Sequence, residues 1–254
     1  MIRWLQRLRQ GISSLTTVGC SLLFPPRCAC CHEEIYGGED EFLLCPDCLA
    51  HLGPETWQGC RRCGAKVADD TPPPERCPLC RNAPLKFDAA VTLGSYHAGL
   101  RDVILRMKRP SHEPLSVAMG QLLIHRRREQ LLEHQPDVVI PIPMFWTRRF
   151  SRGMNSPEIL ATCLGRPLGI PVQRDILVRH VNTLPQANLP PSRRFQNVKG
   201  AFRVRRPDAV KDARVLLVDD VLTTGATCSE AAKMLKQAGA SAVAVAVVAR
   251  AMGR

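Results

Sequence analysis

The 254-residue sequence has no run of 18 apolar residues, which excludes a membrane-spanning helix. It has no GxxxxGK[ST], so an acid pair after a strand is not half of a P-loop site. Aromatic residues make up only 5%, and no basic stretch for stacking bases is expected. A convincing export signal is also missing. Arg3, Arg7 and Arg9 precede a mildly apolar stretch ending at Cys20, but Ser13, Ser14, Thr16 and Thr17 dilute it. A cytoplasmic location is expected. Trp4, Leu8, Ile12, Leu15 and Leu22 stand at near-helical spacing instead. They predict an amphipathic helix over 1–24, stopped by Pro25-Pro26 and packed on the protein. Contact of this helix with a membrane surface is the alternative.

Global disorder is excluded as well, because 45% of the residues are hydrophobic. The charge is lopsided. Residues 1–90 hold 10 Lys/Arg and 11 Asp/Glu, a net of −1, while residues 91–254 carry +13. The break predicts two units, the second attractive to an anion.

Ten of the 12 cysteines lie before residue 81. Eight form the CxxC pairs Cys28/Cys31, Cys45/Cys48, Cys60/Cys63 and Cys77/Cys80. A shift of 32 residues lays the first four on the second four and Pro46 on Pro78, which is an internal repeat. The same shift puts Cys30 on Arg62, so Cys31 is the repeated ligand and Cys30 a spare thiol. Two CxxC turns supply the four thiolates of a tetrahedral zinc, with iron–sulfur the alternative metal. Sequential pairing of the turns is the simplest wiring, and a cross-braced one fits the same spacing. So small a unit cannot stabilise itself by burial alone, and metal ligation must supply much of its folding energy. Eight thiolates against two Zn²⁺ take the formal charge of 1–90 from −1 to −5. That favours a structural or protein-docking role over nucleic-acid binding.

Downstream, apolar runs alternate with helical patterns. Strands are expected at Ala89–Gly94, Asp137–Ile142, Val215–Val218 and Ala242–Val248. Helices are expected at Leu100–Met107, Leu115–Leu132, Ser156–Leu164 and from Thr227 to Gly239. Such alternation predicts an α/β parallel sheet covered on both faces by helices.

The segment from Val215 to Thr227, VLLVDDVLTTGAT, carries the chemistry. Asp219 and Asp220 stand at the carboxyl end of a buried strand, where open parallel sheets bind ligands. Thr223, Thr224, Gly225, Ala226 and Thr227 lead into a helix. Thr227 and Glu230 have capping-box spacing. Loop amides, hydroxyls and a helix N-terminus converge where a phosphate fits. The adjacent acids suit sugar hydroxyls or Mg²⁺, so a ribose 5-phosphate satisfies both halves. A phospho-receiver domain opens with its acidic pair, and only 34 residues follow Asp220 here.

This segment resembles the 5-phosphoribosyl-1-pyrophosphate (PRPP) motif of type I phosphoribosyltransferases. Joined to the cysteine-rich unit, it makes the chain similar to the ComF/GntX family over nearly its whole length. Leu23-Phe24-Pro25 is similar to the family's entry into the first CxxC. Ile140-Pro-Ile-Pro143, Arg148-Arg149 and Arg152-Gly153-Met154-Asn155 resemble its PxP…RRxxRGFNQ segment, with Met154 for Phe and Ser156 for Gln. Arg179, Asn182, Thr183, Gln186, Arg193, Asn197 and Gly200-Ala-Phe202 resemble its following segment. The resemblance implies a double zinc ribbon over 25–86 and a phosphoribosyltransferase domain over 87–254. It implies that Asp219 and Asp220 hold the ribose hydroxyls and help place Mg²⁺, and that Thr223 to Thr227 hold the 5-phosphate. Arg148 and Arg149 match the pyrophosphate loop, and Lys108 is a candidate pyrophosphate clamp. The cover over the site is expected from 183–200, from the zinc unit, or from both. Three functions stay open: a transferase of phosphoribosyl to a base or amine, a PRPP-binding protein without turnover in DNA uptake or use, and an adaptor for single-stranded DNA or DNA-uptake proteins.

Overall fold

The computed structural model describes residues 25–35, 43–52, 57–67 and 74–251. The helix expected over 1–24 lies outside the described residues, and so does Cys20. No helix among the described residues is long and apolar enough to cross a membrane.

One short helix, α1 (Pro46–His51), belongs to the cysteine-rich unit. Beyond it come the strands β1 (Ala89–Ser95), β2 (Val138–Pro141), β3 (Leu177–Arg179), β4 (Phe202–Val204), β5 (Arg214–Leu222) and β6 (Ala242–Arg250). The helices are α2 (Ala98–Met107), α3 (Glu113–Glu133), α4 (Trp146–Arg152), α5 (Ser156–Leu168), α6 (Pro191–Val198) and α7 (Ala226–Gln237). Strands β1, β6, β5 and β2 form a parallel sheet in that order. The expected α/β architecture is present. The separate antiparallel pair β3–β4 was not anticipated, because three-residue strands leave no periodicity to read.

The strands are apolar on both faces because both faces are covered. Leu216, Val218, Ala244 and Ala246 point into a core shared with α2, α3 and α5. Val215, Leu217, Val243 and Val245 point into a second core with α7 and the β3–β4 pair. Each zinc ribbon continues one of these cores. Cys28, Ile35, Leu44 and Leu52 of the first join the α2/α3/α5 core, and Cys60, Cys63, Leu85 and Phe87 join the other. The two halves of the repeat therefore straddle the β1 edge of the sheet.

That edge is closed from both sides. The Ala90 amide donates to the Arg61 carbonyl at 3.1 Å. The buried guanidinium of Arg127 donates to the carbonyls of Thr92 at 3.0 Å and Leu93 at 2.9 Å. Burial lowers the Arg127 pKa to about 10, and the neighbouring Arg126 charge adds to the fall. The central arginine of the basic run at the end of α3 thus serves the sheet rather than a partner.

The 32-residue repeat is also a repeat of hydrogen bonds. Cys28 N–H donates to the Glu33 carbonyl and Cys60 N–H to the Ala65 carbonyl, both at 2.8 Å. Antiparallel bridges join Arg27 to Glu34 and Gly59 to Lys66. Both knuckles close on a left-handed residue, His32 (φ 68°) and Gly64 (φ 66°). Histidine is tolerated in the first because it is exposed. In the second, a Cβ would stand 2.4 Å from Thr92 Cγ2. Glycine is required there by the approach of β1 as well as by φ.

Gly64→Ala should destabilise the protein by about 2 kcal/mol or more, combining left-handed strain with overpacking. His32→Gly should be neutral or stabilising by a few tenths of a kcal/mol. Chemical denaturation of the two variants checks the contrast, and equal losses would refute it.

Candidate ligand cleft and zinc centres

The Sγ atoms of Cys28, Cys31, Cys45 and Cys48 all lie within 4.8 Å of one another, as do those of Cys60, Cys63, Cys77 and Cys80. Pair distances of 3.6 Å for Cys31–Cys45, Cys60–Cys80 and Cys63–Cys77 approach the edge of a tetrahedron built on Zn–S bonds of ~2.3 Å, about 3.8 Å. The donor set fits zinc, and the wiring is sequential rather than cross-braced. Backbone amides prepare the sulfurs for charge. The amides of Cys30 and Cys45 lie 3.4 and 3.3 Å from Cys28 Sγ, and Cys77 N–H lies 3.3 Å from Cys60 Sγ. Desolvation raises the Cys28 thiol, but the amides of Cys31, Cys45 and Cys30 outweigh it and hold the pKa down at about 6. Cys30 stands outside the cluster, as the repeat offset implied.

Strand β5 carries Asp219 and Asp220 near its carboxyl end, on a cleft of about 670 Å³. Lys108 caps α2 and extends its ammonium to within 3.2 Å of Asp220 Oδ2. The Asp220 charge raises the Lys108 pKa against the opposing effect of burial. Desolvation pushes the Asp219 carboxyl up to about 7, and the Asp220 charge adds to the rise. The Asp220 amide at 2.9 Å, Lys108 and the buried Cys228 thiol at 3.8 Å only partly offset it. Two carboxylates thus share one ammonium, and the spot remains short of positive charge.

Thr223 to Thr227 line a small concavity beside Asp219. The expected capping box does not form. The helix starts one residue earlier, with Gly225 at the N-cap in a left-handed conformation (φ 82°), and Glu230 instead accepts the Gly200 amide at 2.8 Å. Glycine is needed at 225 because a Cβ would meet Leu85 Cδ2 at 2.7 Å. Thr224 Oγ1 accepts the Ala226 amide at the helix start at 3.4 Å, and Thr227 Oγ1 accepts from Gln186 at 3.4 Å.

The two loop arginines part company. Arg148 lines the cleft, anchored on the Thr183 carbonyl. Arg149 is not among the lining residues and pairs with Glu158 at 2.5 Å. Arg179 and Arg194 line the cleft and were not singled out as site residues from sequence. Arg179 bonds the Thr183 hydroxyl, so Thr183 orients two guanidinium groups at once. Asn197 clasps Leu184 through its amide and carbonyl at 3.2 and 3.0 Å. The cover over the 223–227 loop therefore comes from the 179–198 segment, while the second ribbon packs beneath it through Leu85.

Ser156, which replaces the family's glutamine, donates to the Met107 carbonyl at 2.8 Å and fixes the end of α2 next to Lys108. Asn155 is buried and donates to the Ile142 carbonyl at 3.2 Å. The absence of an aromatic–basic stretch needs correction. Phe145-Trp146-Thr147-Arg148-Arg149-Phe150 is one, and Trp146 (69% exposed) and Phe150 (91%) are held in solvent beside the cleft mouth. Low overall aromatic content hid this local concentration.

A phosphoribosyl transferase domain matches residues 151–254, and a double zinc ribbon domain matches 20–81. The chain is similar to competence protein F of Haemophilus influenzae, 30% identical over 89% of this chain and 97% of that one. It is similar to the DNA utilization protein YhgH of Escherichia coli K12, 31% identical over 73% and 81%. Solved structures with a related fold include the allosteric regulatory enzyme of purine biosynthesis (21% identity, 58% of this chain and 30% of that one, TM-score 0.38) and the purine phosphoribosyltransferase of Pyrococcus horikoshii (23%, 53% and 83%, TM-score 0.34).

Protein purified without chelator should hold two zinc ions per chain by elemental analysis, and Cys30→Ser should keep both. Cys60→Ser should lose one zinc and cost several kcal/mol of stability. A single zinc in the wild type would overturn the two-centre assignment.

Proposed function

The chain belongs to the ComF family of competence protein F, and from that premise we propose that its cleft binds PRPP or a related ribose 5-phosphate with Mg²⁺. The observation that carries this reading is the convergence at the end of β5. An acid pair short of cation lies beside a hydroxyl-lined helix start, with Lys108 on Asp220 and Arg148 on the lining of the same cleft.

The residues fit the division of such a ligand. Thr223, Thr224 and the amides at the start of α7 receive the 5-phosphate. Asp219 and Asp220 accept from the ribose hydroxyls and would hold Mg²⁺, which when bound neutralises charge on the pyrophosphate. Lys108 and Arg148 face the pyrophosphate. If C1 is transferred, the bond to pyrophosphate breaks through an oxocarbenium-like state. Both cations then gain value as the leaving oxygen takes up charge. The cover from the 179–198 segment excludes water from C1 while the acceptor approaches.

Calorimetry of PRPP with and without Mg²⁺ tests the reading. Asp219→Asn with Asp220→Asn should lower Mg²⁺-dependent affinity by about a hundredfold, two contacts of ~1.5 kcal/mol each. Unchanged affinity would place the site elsewhere. Affinity should also fall as pH drops below about 7, where Asp219 holds a proton that Mg²⁺ must displace. The stability effect has the opposite sign. The native state keeps a proton that the unfolded chain releases above its ordinary 3.8, so this group costs stability as pH rises from about 4 to 7. Asp219→Asn should therefore stabilise the protein at pH 8, on the order of 1–3 kcal/mol after solvent screening.

A second reading, single-stranded DNA as partner, is favoured by Trp146 and Phe150 beside Arg148 and Arg149. Exposed aromatics interleaved with guanidinium groups stack bases without sequence preference. Trp146→Ala with Phe150→Ala should weaken binding to an oligothymidylate tenfold or more, and wild-type affinity should fall steeply with salt. Absence of binding at low salt would remove this reading.

A further inference from the structure

We propose that Arg250 and Arg106 are positioning residues that tie each zinc knuckle to one half of the ligand cleft. The second knuckle is tied to the phosphate loop and the first to Lys108. This rests on the ribose-phosphate reading only for naming the two halves.

Arg250 ends β6 and is buried to 7% exposure. Its Nε donates to the carbonyl of Cys63, a ligand of the second zinc centre, at 2.9 Å. On the other side, its Nη1 donates to the Leu222 carbonyl at 2.9 Å and to that of Thr223. One guanidinium therefore spans from a zinc knuckle to the first residue of the phosphate loop. Its charge is met by carbonyl oxygens, and no carboxylate pairs with it among the described residues. A buried cation so held is stable only while every acceptor stays in place. The ribbon's exit strengthens the tie. Leu85 packs where a Cβ on Gly225 would stand, and Lys86 N–H reaches Ser229 Oγ on α7 at 3.4 Å.

The first knuckle repeats the device on the other core. Arg106 lies on α2, two residues before Lys108, and donates to the Cys30 carbonyl at 2.5 Å, with Cys30 Sγ at 3.7 Å. At the opposite end of α2, a Cβ on Gly99 would stand 2.4 Å from the His51 carbonyl of α1. Helix α2 is thus gripped at both ends by the first ribbon. Lys108, which meets Asp220, directly follows the last residue of the helix, Met107.

Lysine cannot reproduce either span, because a single ammonium on a flexible stem lacks the planar fork. The test uses Arg250→Lys and Arg106→Lys in the full chain, with ribose 5-phosphate and Mg²⁺-pyrophosphate as separate calorimetric probes. Arg250→Lys should keep two zinc ions, weaken ribose 5-phosphate tenfold or more and change pyrophosphate less than twofold. Arg106→Lys should show the reverse. Hydrogen exchange without ligand reports the ties independently. Amides of 222–227 should exchange at least tenfold faster in Arg250→Lys, and those of 107–109 in Arg106→Lys. Equal loss of both probes in each variant, or unchanged exchange at 222–227 in Arg250→Lys, would overturn the proposal. If wild type binds neither probe, the ribose-phosphate reading fails, and the exchange arm alone decides the ties. If Arg250→Lys does not fold, wild type under graded chelation replaces it. Exchange at 222–227 must then rise before that of β2, which is remote from both ribbons, and a simultaneous rise overturns the proposal.

Discussion

Four thiolates drawn to one cation hold each ribbon, and each ribbon in turn finishes one face of the sheet. Cys28 and Cys60 are fully buried, as members of the two cores rather than of an appended module. Thiols packed this closely cannot all ionise without a metal between them, because their charges repel at 3.6 Å. Zinc removes that repulsion and fixes the knuckles. The second knuckle then pairs with the β1 edge through the Arg61 carbonyl, an edge that would otherwise offer unpaired amides and carbonyls to another chain. Loss of zinc reaches further here than in a detached finger, since it opens two cores and a sheet edge together.

The cleft stores an opposite strain. Asp219 and Asp220 lie near the end of β5, after four wholly apolar and buried residues, so the chain delivers charge into a desolvated place. Lys108 relieves part of it, held from α2 on the neighbouring element. What remains is a site that gains by taking up a cation. Paired acids held in a desolvated place cost stability, and sites that act on ligands commonly give up stability in this way.

Much of this was legible in the sequence. The CxxC spacing reported the zinc ligands because local turns set metal geometry. The β5 segment reported the strand because its apolar run is contiguous, and the acids and the threonine–glycine stretch that follow it line neighbouring parts of one cleft. What could not be read depends on contacts between distant segments. Thr227 and Glu230 have the right spacing for a capping box, but Gly200 arrives from the cover and takes the glutamate. Arg148 and Arg149 are adjacent in sequence and face different ways, because Thr183 draws one and Glu158 the other. Arg250 looks like one more basic residue near a chain end. Only the fold shows that it sits between the Cys63 and Thr223 carbonyls, bridging a cysteine knuckle and the 223–227 loop.

The repeat itself records how the two ribbons came to differ. Positions 32 and 64 share a left-handed backbone, but only 64 lies under Thr92, and only 64 is glycine. Positions 30 and 62 share a place in the knuckle. Cys30 receives Arg106 from α2, whereas Arg62 reaches out to the Leu85 carbonyl at 2.9 Å and lies over the Phe87 ring. The four thiolates are common to both copies, because each set closes its own metal site. The residues between them differ, and each fits the neighbour that its copy meets. One copy is fitted to a helix and the other to a strand edge and a loop. A symmetric pair of metal knuckles has in this way been turned into two different supports for one asymmetric cleft.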